Sequence, residues 1–221
     1  MKSAAIFDFD KTIISHDTGV EFVLYGLKKS PWRLTLALLL SPFALVSFAT
    51  THHRRYGNSI FLWTVTCGLA KKDIIQLRSN FIEGYLKKPQ VKVFEKALRQ
   101  INQHQTQQDD VVIISGASKW MVKGILKKIG IQNVLVLGSD ETSFLTGMVS
   151  PFHCYSSHKV TRLKQYLDLS SYQQITGYSD NPADIPMLEL CHKKYVINPT
   201  APHLEKFKRI LQTDFEKLHW E

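Results

Sequence analysis

The chain of 221 residues is long enough for one sizeable domain, or for a core that carries a smaller insertion. Hydrophobic residues make up 44% of it, which excludes a disordered chain, and its three widely spaced cysteines exclude a disulfide framework or a zinc ribbon. The formal net charge of +9 favours polyanionic partners, and because no folded nucleic-acid motif is visible, we expect a phosphorylated lipid or metabolite rather than nucleic acid.

The first predicted element is an apolar strand over residues 4–7, and two carboxylates follow where it ends. Asp8 and Asp10 are two residues apart, so on an extended segment both side chains point to the same face. A Mg2+ ion would compensate their charges, because it prefers oxygen ligands and binds through carboxylates and substrate phosphate. One Asp could then attack phosphorus to form an aspartyl-phosphate while the other transfers the proton. The alternative is an acidic turn that ends the strand and caps the next helix.

The stretch Asp8-Phe9-Asp10-Lys11-Thr12 resembles the first motif of the haloacid dehalogenase superfamily. The resemblance implies that Asp8 is the nucleophile, that Asp10 is the general acid and base, and that Thr12 gives local hydrogen-bonding support. It also implies a Mg2+ cofactor, held by Asp8, by the backbone carbonyl of Asp10 and by a later aspartate.

The segment that follows this motif is predicted to be helical. Apolar residues recur at helical spacing in 18–29 and 72–88, and 57–70 is rich in apolar and aromatic residues. The apolar stretch 32–49 is expected to be interrupted at Pro42. It is shorter than the ~20 residues of a membrane-spanning helix. A single crossing of the membrane would also place Asp8 on one side of the bilayer and Ser115, Lys159 and Asp180 on the other. No common site could then form, so a single crossing is excluded.

Basic residues flank the apolar stretch on both sides, namely Lys28, Lys29, Arg33, His52, His53, Arg54 and Arg55. Such flanks suit a helical hairpin at the cytoplasmic face of the inner membrane, close to anionic lipid. The alternative is a soluble pair of helices packed on the core, in which Arg54 and Arg55 form a solvated face. His16 and Asp17 could contact a substrate headgroup, but local capping is the interpretation favoured for both.

From residue 91 onward the pattern becomes an alternation of helices and strands. Helices are predicted at 91–103, 119–129, 157–167 and 183–190, and strands at 111–114, 134–137, 172–177 and 194–197, with a Gln-rich loop before the first of these strands. The alternation predicts an α/β fold with a parallel sheet covered by helices. Ligands bind at the carboxyl ends of the strands in such sheets, which is where the candidate residues lie.

Two further stretches supply groups that could bind a phosphate. Ser115 and Gly116 follow a strand and precede a helix, where a hydroxyl and free backbone amides can meet an oxyanion, although a simple helix cap is the alternative. They resemble the second motif of the superfamily, which implies that Ser115 binds phosphate and that Gly116 permits close backbone approach. Lys159 opens a predicted helix, and its order along the chain resembles that of the third-motif lysine, which neutralises phosphoryl oxygens. A solvated lysine is the alternative.

The last candidate stretch runs from Gly177 to Leu188 and carries two aspartates. It resembles the fourth motif of the superfamily, with Ser179 where glycine is common. Asp180, at another strand end, would complete the Mg2+ site. Asp184 would support Lys159 or a metal-bound water, unless it only starts the following helix.

Taken together, the motifs predict a Rossmann-like three-layer core at 1–15 and 91–221, and an all-helical cap at 16–90. This cap position resembles the phosphoserine-phosphatase-like branch of the superfamily. The stretches Trp63-x-x-Thr66-x-Gly68 and Gly177-Tyr178-Ser179-Asp180 are similar to the bacterial phosphatidylglycerophosphatase C group. The resemblance implies a Mg2+-dependent phosphomonoesterase that acts on phosphatidylglycerophosphate. The alternatives are a soluble small-metabolite phosphatase, such as one for phosphoserine, and a non-catalytic basic module that binds lipid or nucleic acid.

Overall fold

The computed structural model describes residues 2–50 and 53–221, and within them six strands form one parallel sheet. The strands in chain order are β1 (Ser3–Asp8), β2 (Asp110–Ser118), β3 (Leu135–Ser139), β4 (Thr142–Phe144), β5 (Gly147–Val149), β6 (Gln174–Ser179), β7 (Lys193–Ile197) and β8 (Glu216–Leu218). The sheet has the order β3-β2-β1-β6-β7-β8, and β4 and β5 form a separate antiparallel hairpin. β1 therefore lies between β2 and β6.

Nine α-helices accompany the strands within the described residues. They are α1 (Thr18–Lys28), α2 (Pro31–Ser47), α3 (Arg54–Thr66), α4 (Lys71–Tyr85), α5 (Glu95–Thr106), α6 (Lys119–Lys128), α7 (Ser157–Tyr166), α8 (Ile185–Leu188) and α9 (Ala201–Leu211). Alternate residues of β1 enter two apolar clusters, one that includes α5 and α6 and one that includes α7, α8 and α9. The prediction of an α/β fold with a parallel sheet between helical layers is thus confirmed.

The helices α1 to α4 lie between β1 and α5 in the chain, and α3 contacts the β4–β5 hairpin. Ser59 Oγ donates to the carbonyl oxygen of Ser150 at 3.2 Å, and the Ser150 N–H donates back to Ser59 Oγ at 3.0 Å. The Met148 N–H donates to Thr66 Oγ1 at 2.8 Å. These hydrogen bonds fasten α3 to the hairpin. The division of the chain into core and cap stays a prediction.

The prediction that Pro42 interrupts the apolar stretch is wrong, because α2 continues through it. Proline has no N–H, so the carbonyl oxygen of Leu38 loses the donor that a helix would normally provide. Ser41 Oγ donates to that oxygen at 2.8 Å. The serine hydroxyl therefore replaces the missing hydrogen bond, and the apolar stretch forms a single helix.

α2 packs through small residues and exposes large ones. Ala37 and Ala44 are buried, and a Cβ added to Gly57 of α3 would lie 2.9 Å from the carbonyl oxygen of Ala44, so this close approach requires glycine. The outward side chains Trp32, Leu34, Leu38, Leu39, Phe43, Leu45 and Val46 are 45–77% exposed. No helix in 2–50 or 53–221 is long and apolar enough to cross a membrane. Of the predicted basic flanks, His52 lies outside the described residues.

Other elements differ from the predicted ones in extent. The Gln-rich segment belongs mostly to α5, which continues to Thr106, so the connection to β2 is short. α8 is confined to Ile185–Leu188, after a single 3-10 turn. The hairpin, α9 and β8 were not predicted. Strands of three residues, as in β4, β5 and β8, are too short to show an alternating pattern.

Candidate active site

Three neighbouring strands bring the first, second and fourth motifs to one edge of the sheet. β1 ends at Asp8, β2 carries Ser115, and β6 leads directly into Asp180. Thr12 Oγ1 donates to Asp8 Oδ2 at 3.3 Å and accepts the N–H of Asp180 at 3.1 Å. Thr12 therefore joins the first motif to the last. Within the first motif, Lys11 adopts a left-handed backbone conformation with φ of 58°, which turns the chain sharply after β1.

Lys159, near the start of α7, is 2% exposed and lies between two carboxylates. Its Nζ donates to Asp8 Oδ1 at 2.5 Å and to Asp184 Oδ2 at 2.8 Å. Ser179 Oγ donates to the same Asp184 oxygen at 2.7 Å. Burial alone would lower the pKa of Lys159, but the charges of Asp184 and Asp8 outweigh it and raise the pKa above its usual value. The ammonium group is therefore charged at neutral pH.

Asp10 is held by hydrogen bonds to both of its oxygens. The backbone N–H and the hydroxyl of Thr18 each donate to Oδ1 at 2.8 Å, and Ser115 Oγ donates to Oδ2 at 3.0 Å. Burial raises the pKa of Asp10 to about 6, aided by the charge of Asp17, while the Thr18 and Ser115 hydrogen bonds act in the opposite direction. A carboxyl with this pKa can both give and take a proton near neutral pH. Sequence reasoning missed Thr18, and the signal was its place directly after the helix cap Asp17.

Negative charge exceeds positive charge at this edge of the sheet. Burial, followed by the charge of Asp184, raises the pKa of Asp180 to about 7. Burial also raises the pKa of Asp8 well above its usual value; the charge of Lys159 opposes this rise, and the charges of Asp184, Asp180 and Asp10 add to it. A divalent cation would relieve this excess, and hard carboxylate oxygens are the ligands that Mg2+ prefers. The donor set thus fits Mg2+.

Within the described ranges, no three His, Cys, Asp or Glu side chains are grouped so that they could hold a metal ion. The predicted Mg2+ set does not need three such side chains. It consists of the carboxylates of Asp8 and Asp180 and the backbone carbonyl of Asp10. That these three groups bind Mg2+ stays a prediction.

Gly116 lies beside two residues that sequence reasoning missed. Ser139, at the end of β3, donates from Oγ to the carbonyl oxygen of Gly116 at 2.6 Å and lies 3.1 Å from His153 Nδ1. A Cβ on Gly116 would lie 3.4 Å from His153 Cε1, an ordinary contact, so protein packing does not itself require glycine. Burial, and then the charge of Arg54, lowers the pKa of His153 to about 4. The ring is therefore neutral at pH 7. Only the place of Ser139 at a strand end could have indicated this pair.

A cavity of about 570 Å³ opens over these residues. Its charged end contains Asp8, Asp10, Lys159, Asp180 and Asp184. Asp17 and Arg54 also line the cavity, and apolar side chains from α1, the end of α2, α3 and α6 form much of its wall, namely Val20, Phe22, Val23, Leu24, Leu27, Phe48, Phe61, Leu62 and Met121. The cavity therefore combines a polar end suited to a phosphate with a hydrophobic wall.

The chain is similar to known proteins in sequence and in fold. The sequence matches the family described as haloacid dehalogenase-like hydrolase over residues 5–189. It is 28% identical over 229 aligned positions to a protein named histidinol-phosphatase from Neisseria meningitidis serogroup C (strain 8013). That alignment covers 93% of this chain and 94% of the relative.

Solved structures show the same fold. A protein of unknown function from Bordetella pertussis Tohama I has a TM-score of 0.77 at 15% identity, with 97% of each chain covered. A structure described as a phospho-aspartyl intermediate analogue of phosphoserine phosphatase has a TM-score of 0.59 at 16% identity, with 96% of this chain and 98% of that chain covered. At such identities the likeness concerns the fold alone.

Proposed function

Since the chain belongs to the haloacid dehalogenase-like hydrolases and is an enzyme of the phosphatase type, we propose that it cleaves phosphate monoesters through an aspartyl-phosphate on Asp8. The observation that carries this proposal is that Asp8, Asp10 and Lys159 line one cavity, where Lys159 bonds to Asp8 and the buried Ser115 hydroxyl bonds to Asp10. A binding module would not need a buried lysine set between two buried carboxylates, an arrangement that is costly to maintain in a protein interior.

The reaction has two steps. In the first, an oxygen of Asp8 bonds to phosphorus as the bond to the ester oxygen breaks, and Asp10 gives a proton to the departing alkoxide. In the second, Asp10 takes a proton from water, the water oxygen bonds to phosphorus, and the bond to Asp8 breaks. Inorganic phosphate leaves and both aspartates are restored. Lys159 and Ser115 stabilise the negative charge on the phosphoryl oxygens during both steps.

Asp8, Asp180 and the backbone carbonyl of Asp10 would hold the Mg2+ ion. When bound, it supplies positive charge that neutralises phosphoryl oxygens and the surrounding carboxylates. The excess of buried carboxylates over cations supports this assignment.

The test of the nucleophile is Asp8→Asn in pure protein, with 4-nitrophenyl phosphate and Mg2+. We expect release of nitrophenol to fall by at least about 10³-fold, because the amide oxygen is a poor nucleophile. Asp73→Asn is the matched control, since Asp73 is exposed on α4 away from the cavity. Undiminished turnover by Asp8→Asn would show that another group attacks phosphorus.

As substrate we propose phosphatidylglycerophosphate, which would be hydrolysed to phosphatidylglycerol. The apolar cavity wall supports a lipid, since Val20 and Leu24 line the cavity and are 55% and 46% exposed, so apolar surface extends from the cavity to its rim. The second candidate is a soluble metabolite. It is favoured by the names of the Neisseria relative and of the phosphoserine phosphatase structure.

We also propose that α2 lies on the anionic surface of a bilayer, at the cytoplasmic face of the inner membrane. Its large side chains point outward, and no charged residue interrupts it between Arg33 and Arg54. Positive charge at both ends complements anionic lipid headgroups, while the apolar face can enter the interface. Phe48, at the C-terminal end of α2, lines the cavity, which would bring a lipid substrate close to the site.

The membrane proposal is tested by sedimentation with vesicles that contain phosphatidylglycerol. Replacing the exposed Leu39 and Phe43 by Glu should release the protein from the vesicles. Ile75→Glu, at an exposed apolar residue of α4, should not. Equal binding to vesicles by the unaltered protein, the Leu39 and Phe43 double variant and Ile75→Glu would refute a role for α2.

The substrate is tested by comparing phosphate release from phosphatidylglycerophosphate in mixed micelles with release from phosphoserine and histidinol phosphate. The lipid proposal predicts the highest kcat/KM for the micellar substrate. A higher value for either soluble ester would favour the metabolite phosphatase.

A further inference from the structure

Arg54, the first residue of α3, lies in the cavity wall on an aromatic support. Its guanidinium is 4.6 Å from the centre of the Tyr155 ring and 5.9 Å from that of Phe48. The Tyr155 ring in turn stacks on His153, with ring centres 5.6 Å apart and planes 7° from parallel. All four side chains line the cavity. The stack thus connects α3 to the segment before α7 and orients the guanidinium.

Within residues 2–50 and 53–221, the charge of Arg54 has no carboxylate partner at ion-pair distance, whereas Arg78 and Arg162 pair with Glu141 and Asp140. Its positive charge contributes to the low pKa of His153, so it acts inside the cavity.

The two lysines that line the cavity differ from Arg54 in their surroundings. Lys159 bonds to Asp8 and Asp184, and Lys11 is an exposed side chain beside Asp180, on which its charge acts. Arg54 therefore remains available to a ligand.

We propose that Arg54, held on Tyr155, binds a second oxyanion carried by the leaving group of the substrate. This inference rests on the proposed phosphatase function and names the substrate class of that site. A planar guanidinium offers paired donors that match phosphate or carboxylate oxygens, and stacking on a ring leaves those edge donors free. The favoured substrate is thus a phosphomonoester with a further phosphodiester or carboxylate on its alcohol. Such a charge is absent from the leaving group of a simple alkyl or aryl phosphate.

The charges on the two sides of the cavity would also orient the leaving group. Asp17 lines the α1 side, where its Oδ1 accepts the Val20 N–H at 2.9 Å. A second anion would be repelled there and attracted to the α3 side. The apolar part of a leaving group would then extend along Val20 and Leu24.

The test compares two soluble substrates in which the phosphate to be cleaved is esterified to a glycerol hydroxyl. Glycerol 3-phosphate has no second oxyanion, and glycerophosphoglycerol phosphate adds a phosphodiester; phosphoserine provides the carboxylate arm. In Arg54→Gln, we expect the ratio of kcat/KM for glycerophosphoglycerol phosphate to that for glycerol 3-phosphate to fall about 10- to 100-fold, mainly through KM. For Arg54→Lys, this ratio should lie between those of the unaltered enzyme and Arg54→Gln, because lysine keeps the positive charge but lacks the paired donors of the guanidinium.

Arg55→Gln is the matched control, since Arg55 is the adjacent residue, contacts Tyr56 and does not line the cavity. A ratio within about twofold of the unaltered enzyme for both Arg54 variants would overturn the inference, as would an equal loss in Arg55→Gln. A selective loss with phosphoserine but not with the phosphodiester would assign the site to a carboxylate. If Arg54→Gln does not fold, Arg54→Lys decides by the same ratio.

Calorimetric binding separates this inference from the proposed function. In the Asp8→Asn background, Arg54→Gln should weaken binding of glycerophosphoglycerol phosphate about tenfold or more. Unchanged affinity would refute the anion site even where the phosphatase activity stands. Conversely, a lost affinity would support the anion site even where the unaltered protein hydrolyses none of the esters.

Discussion

Removing the charge of Lys159 should destabilise the folded protein strongly. In Lys159→Met, Asp8 and Asp184 lose a buried partner that lies 2.5 and 2.8 Å away. Breaking a buried pair by removing one member costs about 3–5 kcal/mol, because the remaining charge stays desolvated. For a protein of this size, 1 kcal/mol shifts Tm by about 2–4 °C, so Tm should fall by about 6–20 °C.

The assay is urea unfolding at pH 7 and at pH 5, with a chelator present so that no metal replaces the lysine. The loss should be smaller at pH 5. The pKa of Asp8 is raised in the folded protein and rises further without Lys159, so the folded state binds its proton more tightly than the unfolded state and gains stability as the pH falls.

Lys164→Met is the control, because Lys164 is exposed on the same helix. A loss below about 1 kcal/mol at pH 7 would refute the reasoning, since that is the scale of a solvent-exposed ion pair. An equal loss at both pH values would show that packing, rather than charge, accounts for the effect.

Three further predictions concern the helix α2 and the titrating groups. Ser41→Ala should cost about 1 kcal/mol and speed amide exchange in α2, since the Leu38 carbonyl loses its donor; unchanged exchange would contradict this. Thr18→Val should raise the pKa of Asp10 and move the limb of the pH–rate profile that reports it to higher pH by about one unit. Metal-free protein should lose stability as pH rises from 3.8 to about 7, because Asp10 and Asp180 have raised pKa values, and Mg2+ should flatten the slope in urea titrations.

The parts of the site that could be predicted from the sequence are those that local pattern and sheet topology determine. An apolar strand followed by Asp8 fixes a carboxylate at a strand end, and parallel strands bring other strand ends, such as that before Asp180, to the same edge. Thr18, His153 and Arg54 have no such pattern. They reach the site only because helices pack in three dimensions.

The course of α2 was mispredicted for a related reason. Proline rules consider one residue and the backbone, and Pro42 alone would have ended the helix. The adjacent Ser41 changes the outcome, since its hydroxyl bonds the carbonyl oxygen that proline leaves without a donor. Side-chain rescue of this kind depends on a rotamer, which sequence spacing does not reveal.

The hydrogen bonds between α3 and the hairpin segment constrain how bulky molecules enter and leave. Ser59 of α3 and Ser150, directly after β5, exchange two hydrogen bonds, which oppose the separation of α3 from the hairpin. On the α1 side, the cavity residues Val20 and Leu24 are partly exposed to solvent. A long leaving group could extend past them out of the cavity, so its full length would not have to fit inside.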